Sequence, residues 1–215
     1  LLSACATNQT KLPPIPESIS ISKKEQQNSK YSLAGLSIGG ELSNIIECKL
    51  KRSILSNKDF DYDYGVNNQD CFRRPYNQIG KGTDISNERI GFDYSYKTRA
   101  LRPYYIDNAY VQLINNKIEE VFINTDGLNS QETILSDLTN KFGKPTKVSL
   151  ETSQNGFGAQ FKIIQAYWSL NDTVEVVFLG AVSKKTAVII KMNSLKAREL
   201  EKKINQEEEK NRPKL

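Results

Sequence analysis

Residues 109–123 read Ala-Tyr-Val-Gln-Leu-Ile-Asn-Asn-Lys-Ile-Glu-Glu-Val-Phe-Ile, and this stretch decides the fold class. Two apolar-rich runs, Ala109–Ile114 and Lys117–Ile123, flank Asn115-Asn116. Asparagine tolerates positive φ, so the pair suits a tight turn between antiparallel strands. Upstream, Arg89–Tyr96 sets Ile90, Phe92, Tyr94 and Tyr96 against Gly91, Asp93 and Ser95, the period of a half-buried strand. Downstream, Thr146–Glu151, Phe161–Leu170, Thr173–Leu179 and Thr186–Met192 read as strands, with Asn171-Asp172 as a second tight turn. Between the two groups lies the clearest helix. Asn129 is its expected cap, Glu132 completes a capping box, and Ile134, Leu135, Leu138 and Phe142 form its apolar stripe. Gly143 and Pro145 stop it.

Working outward, Leu42, Ile45, Ile46 and Leu50 recur at helical spacing, which predicts a first helix over Glu41–Arg52. Every strand connection is short, whereas parallel strands need long crossovers. The expected fold is therefore α+β, an antiparallel sheet of about six to seven strands with two helices on one face. Gly35-Leu36-Ser37-Ile38-Gly39 and Asp126-Gly127-Leu128-Asn129 each open a helix before a meander, so the body reads as a tandem helix-plus-meander repeat. That body spans 31–193, with a polar, aperiodic insertion over 53–81. From Ser194 to Leu215 the chain is dominated by Lys, Glu, Arg, Asn and Gln, and reads as a solvated helical tail.

Hydrophobic residues make up 38% of the 215, which excludes a wholly disordered chain. The net charge of +5 is spread rather than gathered, so no nucleic-acid partner is expected. The first residues, Leu1-Leu2-Ser3-Ala4-Cys5, resemble the signal box of bacterial lipoproteins: a branched apolar residue, small residues, then a cysteine. The resemblance implies a diacylglyceryl group on the Cys5 thiol, residues 1–4 as the stub of a removed targeting segment, and 5–30 as a tether. The tether is rich in Pro, Ser, Gln, Asn and Lys, and cannot bury enough apolar area to offset its ordering entropy. Ala6 and Thr7, rather than Asp, follow the cysteine, which by the same resemblance implies an outer-membrane anchor facing the periplasm. With Cys5 lipidated, Cys48 and Cys71 remain as a pair, and an oxidising compartment favours a disulfide over two buried thiols.

The lipid box, the Pro-rich tether, the Gly-Leu-x-Ile-Gly start and the later Lys141-Phe142-Gly143-Lys144-Pro145 are together similar to small envelope lipoproteins of the SmpA/OmlA type. The doubled unit resembles the β-lactamase-inhibitor-protein-like fold. Both imply a protein-binding, inhibitory or envelope-assembly role, over roughly Leu33–Met192.

Nine of the ten tyrosines precede Val111. Tyr and Arg are enriched at protein interfaces. Tyr62, Tyr64, Arg73, Arg74, Tyr76, Arg99, Arg102, Tyr104 and Tyr105 thus form the candidate partner face; the alternative is that the rings fill the insertion's own small core. Asp59, Asp61 and Asp63, with Asp70 at the twelfth position, echo a calcium loop, but Tyr64 occupies the place of the required glycine. No metal or cofactor is expected. The chain has no histidine, the commonest general base, and Glu119-Glu120 is split across the two faces of a strand. The reading is a non-catalytic envelope lipoprotein that binds an unidentified envelope protein. A structural tether and a carboxylate-dependent cell-wall hydrolase are the alternatives. Labelling cells with radioactive palmitate is expected to mark the wild-type chain and not Cys5→Ser; equal labelling of the two would remove the anchor.

Overall fold

The computed structural model describes residues 31–43, 45–52, 60–62, 69–75, 84–94, 106–125, 130–154, 157–180 and 188–212. In chain order the elements are β1 (Ser32–Leu33), β2 (Leu36–Ser37), β3 (Ile46–Glu47), β4 (Leu50–Arg52), β5 (Phe60–Tyr62), β6 (Cys71–Arg73) and β7 (Arg89–Asp93). Then follow β8 (Ile106–Ile114), β9 (Lys117–Thr125), helix α1 (Gln131–Phe142), β10 (Lys147–Gln154), β11 (Gln160–Ser169), β12 (Val174–Leu179), β13 (Val188–Ser194) and helix α2 (Leu195–Asn211).

The β8–β9 hairpin forms as the sequence implies, with Asn115 and Asn116 at φ of 52° and 63°. It sits inside a nine-stranded sheet of order β10-β11-β12-β13-β9-β8-β7-β6-β3. Two small two-stranded sheets, β1-β2 and β4-β5, complete the described strands. The sheet is mixed: β3 runs parallel to β6, and the other neighbours are antiparallel. It is thus larger than expected and not wholly antiparallel. The reason lies in the first part of the chain, where Cys71–Arg73 adds a strand beside β7 and Ile46–Glu47 adds a parallel one beside β6. Helix α1 carries the chain from β9 to the far edge, and a three-hairpin meander returns it until β13 lies against β9.

No helix forms among the described residues of Glu41–Arg52, and with it the tandem repeat falls. Glu41 makes a bridge to Lys117, Ile46–Glu47 pairs with Cys71–Phe72, and Leu50–Arg52 pairs with Phe60–Tyr62. The helical spacing there was carried by few residues, and fixed tertiary bonds outweigh it. Gly39 N–H donates to Ile118 O, Ile118 N–H to Gly40 O, and Cys48 N–H to Phe72 O. The stretch that reads as a helix opening, Gly35–Gly39, instead completes the β1-β2 hairpin.

One face of the sheet is the core. Ile90, Val111, Val121, Ile123, Val176, Phe178, Ile190 and Met192 are fully buried and cross-strand neighbours of one another. Ile134 and Leu138 of α1, with Leu33, Leu36 and Leu42, cover this layer. Burying each such side chain contributes about 1.5–3 kcal/mol. The helices do not share that face. The alternate residues Glu175 and Lys191 bind Arg198 and Glu201 of α2, so α2 is fastened to the opposite surface. The pleat sends i and i+1 to opposite sides, and α2 follows β13 directly through its cap Ser194, whose Oγ accepts from Ala197 N–H.

Asn129 lies outside the described residues. Helix α1 begins at Gln131, and Ser130 makes no side-chain cap bond. Gly143 ends the helix at φ 84°, a value suited to glycine, with its N–H on Thr139 O. The Gln131 amide is built into the sheet: its Nε2 donates to Lys162 O at 3.0 Å, and its Oε1 accepts from Ile164 N–H at 3.1 Å. Strand β12 has ended there, so this side chain stands in for the missing strand. Gly180 makes room for it, because a Cβ would run into Gln131 Oε1 and lie 2.6 Å from Ile164 O. Gln131→Ala leaves a buried donor and a part-buried acceptor unpaired and is expected to cost about 1–3 kcal/mol, read from the urea midpoint; an unchanged midpoint would contradict this role.

Candidate functional site

Cys48 and Cys71 are joined by a disulfide, with Cα atoms 5.0 Å apart and 23 residues of separation. Closing a loop of this size stabilises by about 3 kcal/mol in the chain-entropy account. Both cysteines are buried, and the bond holds the β3–β4 connection against β6. Asp93 lies beside it, with Oδ2 at 3.8 Å from Cys48 Sγ. Cys48, Cys71 and Asp93 have a spacing that could hold a metal, but the bonded sulfurs offer no thiolates to one.

Two arginines of the candidate partner face are described, and both are engaged within the molecule. Arg73 Nε lies 3.0 Å from Asp93, and Arg74 Nε lies 2.9 Å from Glu47. Their side chains are 20% and 17% exposed. The sheet supplies both acids, so these guanidinium groups brace β6 against β7 and β3. Tyr62 ends β5. Tyr64, Tyr76, Arg99, Arg102, Tyr104 and Tyr105, like Cys5 and the acids Asp59 and Asp63, lie outside the described residues.

The geometry brings a different set together on the surface opposite the core. Lys147 pairs with Tyr167, Ser149 with Gln165, Tyr167 with Val177, and Gln165 with Leu179. These neighbours line an open hollow of about 250 Å³ on β10, β11 and β12. Val177, Leu179 and the Tyr167 ring give it apolar walls, half-exposed rather than covered. Lys147 adds a cation, and Gln165 and Ser149 add an amide and a hydroxyl. Such a mixture suits side chains of a protein partner, in which apolar contact supplies affinity and a few polar groups fix orientation.

Beside the hollow, Tyr167 OH donates to Glu175 Oε2 at 2.9 Å, and Arg198 of α2 lies 3.1 Å from the same oxygen. Glu120 is almost fully buried between Arg89 at 2.7 Å and Lys191 at 3.3 Å, and Lys191 also reaches Glu201 at 2.7 Å. Glu119, also buried, meets Lys196 at 3.3 Å, so the two acids are not split across the strand's faces but serve the same helix; the register shift at Gln112/Leu113 takes Glu119 out of the alternation. These pairs anchor the first turns of α2, as far as Glu201, whereas residues 202–212 are exposed throughout. The sequence signal for this network was present, since two acids interrupt an apolar strand. Gln131 and Tyr167 carried no such signal, because their partners are remote in the chain. No protein-family model, curated protein or solved structure matches this chain.

Burial, then the hydrogen bond to Glu175 and its charge, hold the Tyr167 phenol above its ordinary pKa. A raised value means that the neutral phenol is preferred on folding. Its contribution is fully present below the unfolded value of about 10 and is lost as pH rises through the folded value. Chemical denaturation at pH 9 and pH 11 is therefore expected to show a larger loss of stability for wild type than for Tyr167→Phe. An equal loss in the two would rule out this linkage.

Proposed function

We propose that this chain is an envelope lipoprotein, anchored through Cys5 on the periplasmic side of the outer membrane, that works without catalysis by holding another envelope protein. The observation that carries the binding role is the open hollow of Lys147, Ser149, Gln165, Tyr167, Val177 and Leu179, built on hydrogen-bonded strands. A rigid base matters because a preorganised surface loses little entropy on docking. The Cys48–Cys71 disulfide supports the extracytoplasmic address, since such bonds persist where the environment is oxidising. The lipid box and Pro-rich tether, similar to those of SmpA/OmlA-type lipoproteins, favour an accessory role in the envelope; the β-lactamase-inhibitor-like resemblance rested on the doubled unit and lends no support once that repeat is lost.

The test is site-specific photocrosslinking in intact cells. A photoreactive residue at Gln165 or Leu179 is expected to give a discrete adduct with another envelope protein, identified by mass spectrometry. The same probe at Lys202, on exposed α2, serves as the control. Leu179→Asp is expected to abolish the Gln165 adduct while the thermal midpoint changes little. Adducts equally abundant at Lys202, or unaffected by Leu179→Asp, would refute binding at the hollow.

A further inference from the structure

Strand β10 is an end strand of the nine-stranded sheet, eight residues long, and carries no proline. The direction of its backbone groups follows from its neighbours. Gly180 N–H donates to Ile164 O and Leu170 N–H to Val174 O, so even-numbered residues of β11 bond toward β12. Odd-numbered ones therefore bond toward β10, as Tyr167 O does in accepting from Thr146 N–H. With Lys147 opposite Tyr167 and Ser149 opposite Gln165, the odd residues of β10 pair inward. Val148, Leu150, Thr152 and Gln154 consequently turn their N–H and C=O groups outward. Long strands with such an edge act as templates for another strand.

The side chains at the same positions are apolar and open: Val148 is 51% exposed and Leu150 63%. Both stand on the core side of the sheet, opposite Ala166 and Ile164. Lys147 and Glu151 stand on the hollow side. The order Lys147-Val148-Ser149-Leu150-Glu151 is thus self-complementary in antiparallel pairing about Ser149. In that register Val148 faces the second copy's Leu150 and Lys147 faces the second copy's Glu151, and the two-fold axis repeats each contact. Val148 and Leu150 exchange about four main-chain hydrogen bonds with their counterparts, and the closer, non-hydrogen-bonded positions hold the opposite charges. Centring the axis on Leu150 instead sets Lys147 against Ser153 and Glu151 against Ser149, so no charges meet. Centring it on Glu151 opposes like charges.

We propose that β10 is a homodimerisation edge, at which a second copy of this chain adds its own β10 antiparallel about Ser149 to continue the sheet. The two hollows then lie side by side on one surface of the dimer. This inference goes beyond the proposed function and does not depend on the lipid anchor or on any other partner.

The test uses the full chain with Cys5→Ser. Sedimentation from micromolar to millimolar concentration is expected to show a reversible monomer–dimer equilibrium. Lys147→Glu sets like charges opposite each other twice and is expected to weaken it by about tenfold. Adding Glu151→Lys to that variant is expected to restore it. Ser149→Cys places its sulfur against its own copy at the two-fold axis, within disulfide reach, whereas Ser153→Cys does not. Mild oxidation is therefore expected to give a covalent dimer for Ser149→Cys at least several times faster than for Ser153→Cys. A monomer at every concentration, failure of the double reversal to restore association, or equal crosslinking of the two cysteine variants would overturn the proposal. Thermal midpoints of the variants, read in parallel, separate lost association from lost folding.

Discussion

The pairing of β13 with β9 is the contact on which the rest of the molecule depends. It sets Val188 opposite Thr125 and Asn193 opposite Glu120, and buries Ile190 against Ile123 and Met192 against Val121. Helix α1 takes the chain away from β9, and among the described strands this ladder closes the circuit. Once it is closed, α1 lies over the apolar layer, and the Gln131 amide reaches the strand end that β12 leaves open. The same ladder brings Lys191 to Glu120 and starts α2 beside the residues that fasten it. Joining residues so far apart in sequence is entropically costly before the contacts form, which is characteristic of large sheets.

Much of the second half of the chain was legible in the sequence, for a clear physical reason. From β8 to β13 the alternation of apolar and polar side chains matches a sheet buried on one face, and Asn115-Asn116 and Gly143 have local conformational roles that no neighbour need impose. The first part is less legible. Leu42, Ile45, Ile46 and Leu50 have helical spacing, yet the chain there is held by bonds to Ile118 and Phe72 and by the disulfide. A short periodic pattern is weaker than such constraints. The strand order was likewise hidden, since turn chemistry sets the hairpins but not the edge to which α1 delivers the chain.

The candidate site shows the same division. Pairing of Cys48 with Cys71 followed from cysteine count and compartment, and the bond is present. Arg73 and Arg74 were read as outward anchors because they stand among tyrosines in an aperiodic segment. Their acids, Asp93 and Glu47, belong to other strands, and sequence proximity cannot reveal them. The hollow of Tyr167, Val177 and Leu179 consists of residues that alternate on the less apolar face, which by pattern alone read as ordinary solvated positions.

Helix α2 grows without a linker from β13, a strand bonded on both sides, and its later turns are exposed. A pull on those turns would be delivered to the middle of the sheet rather than to an outer strand. Extraction of β13 would then have to shear two hydrogen-bond rows together instead of unzipping one. The protruding helix is therefore a mechanically well-rooted handle, suited to bearing tension without opening the body.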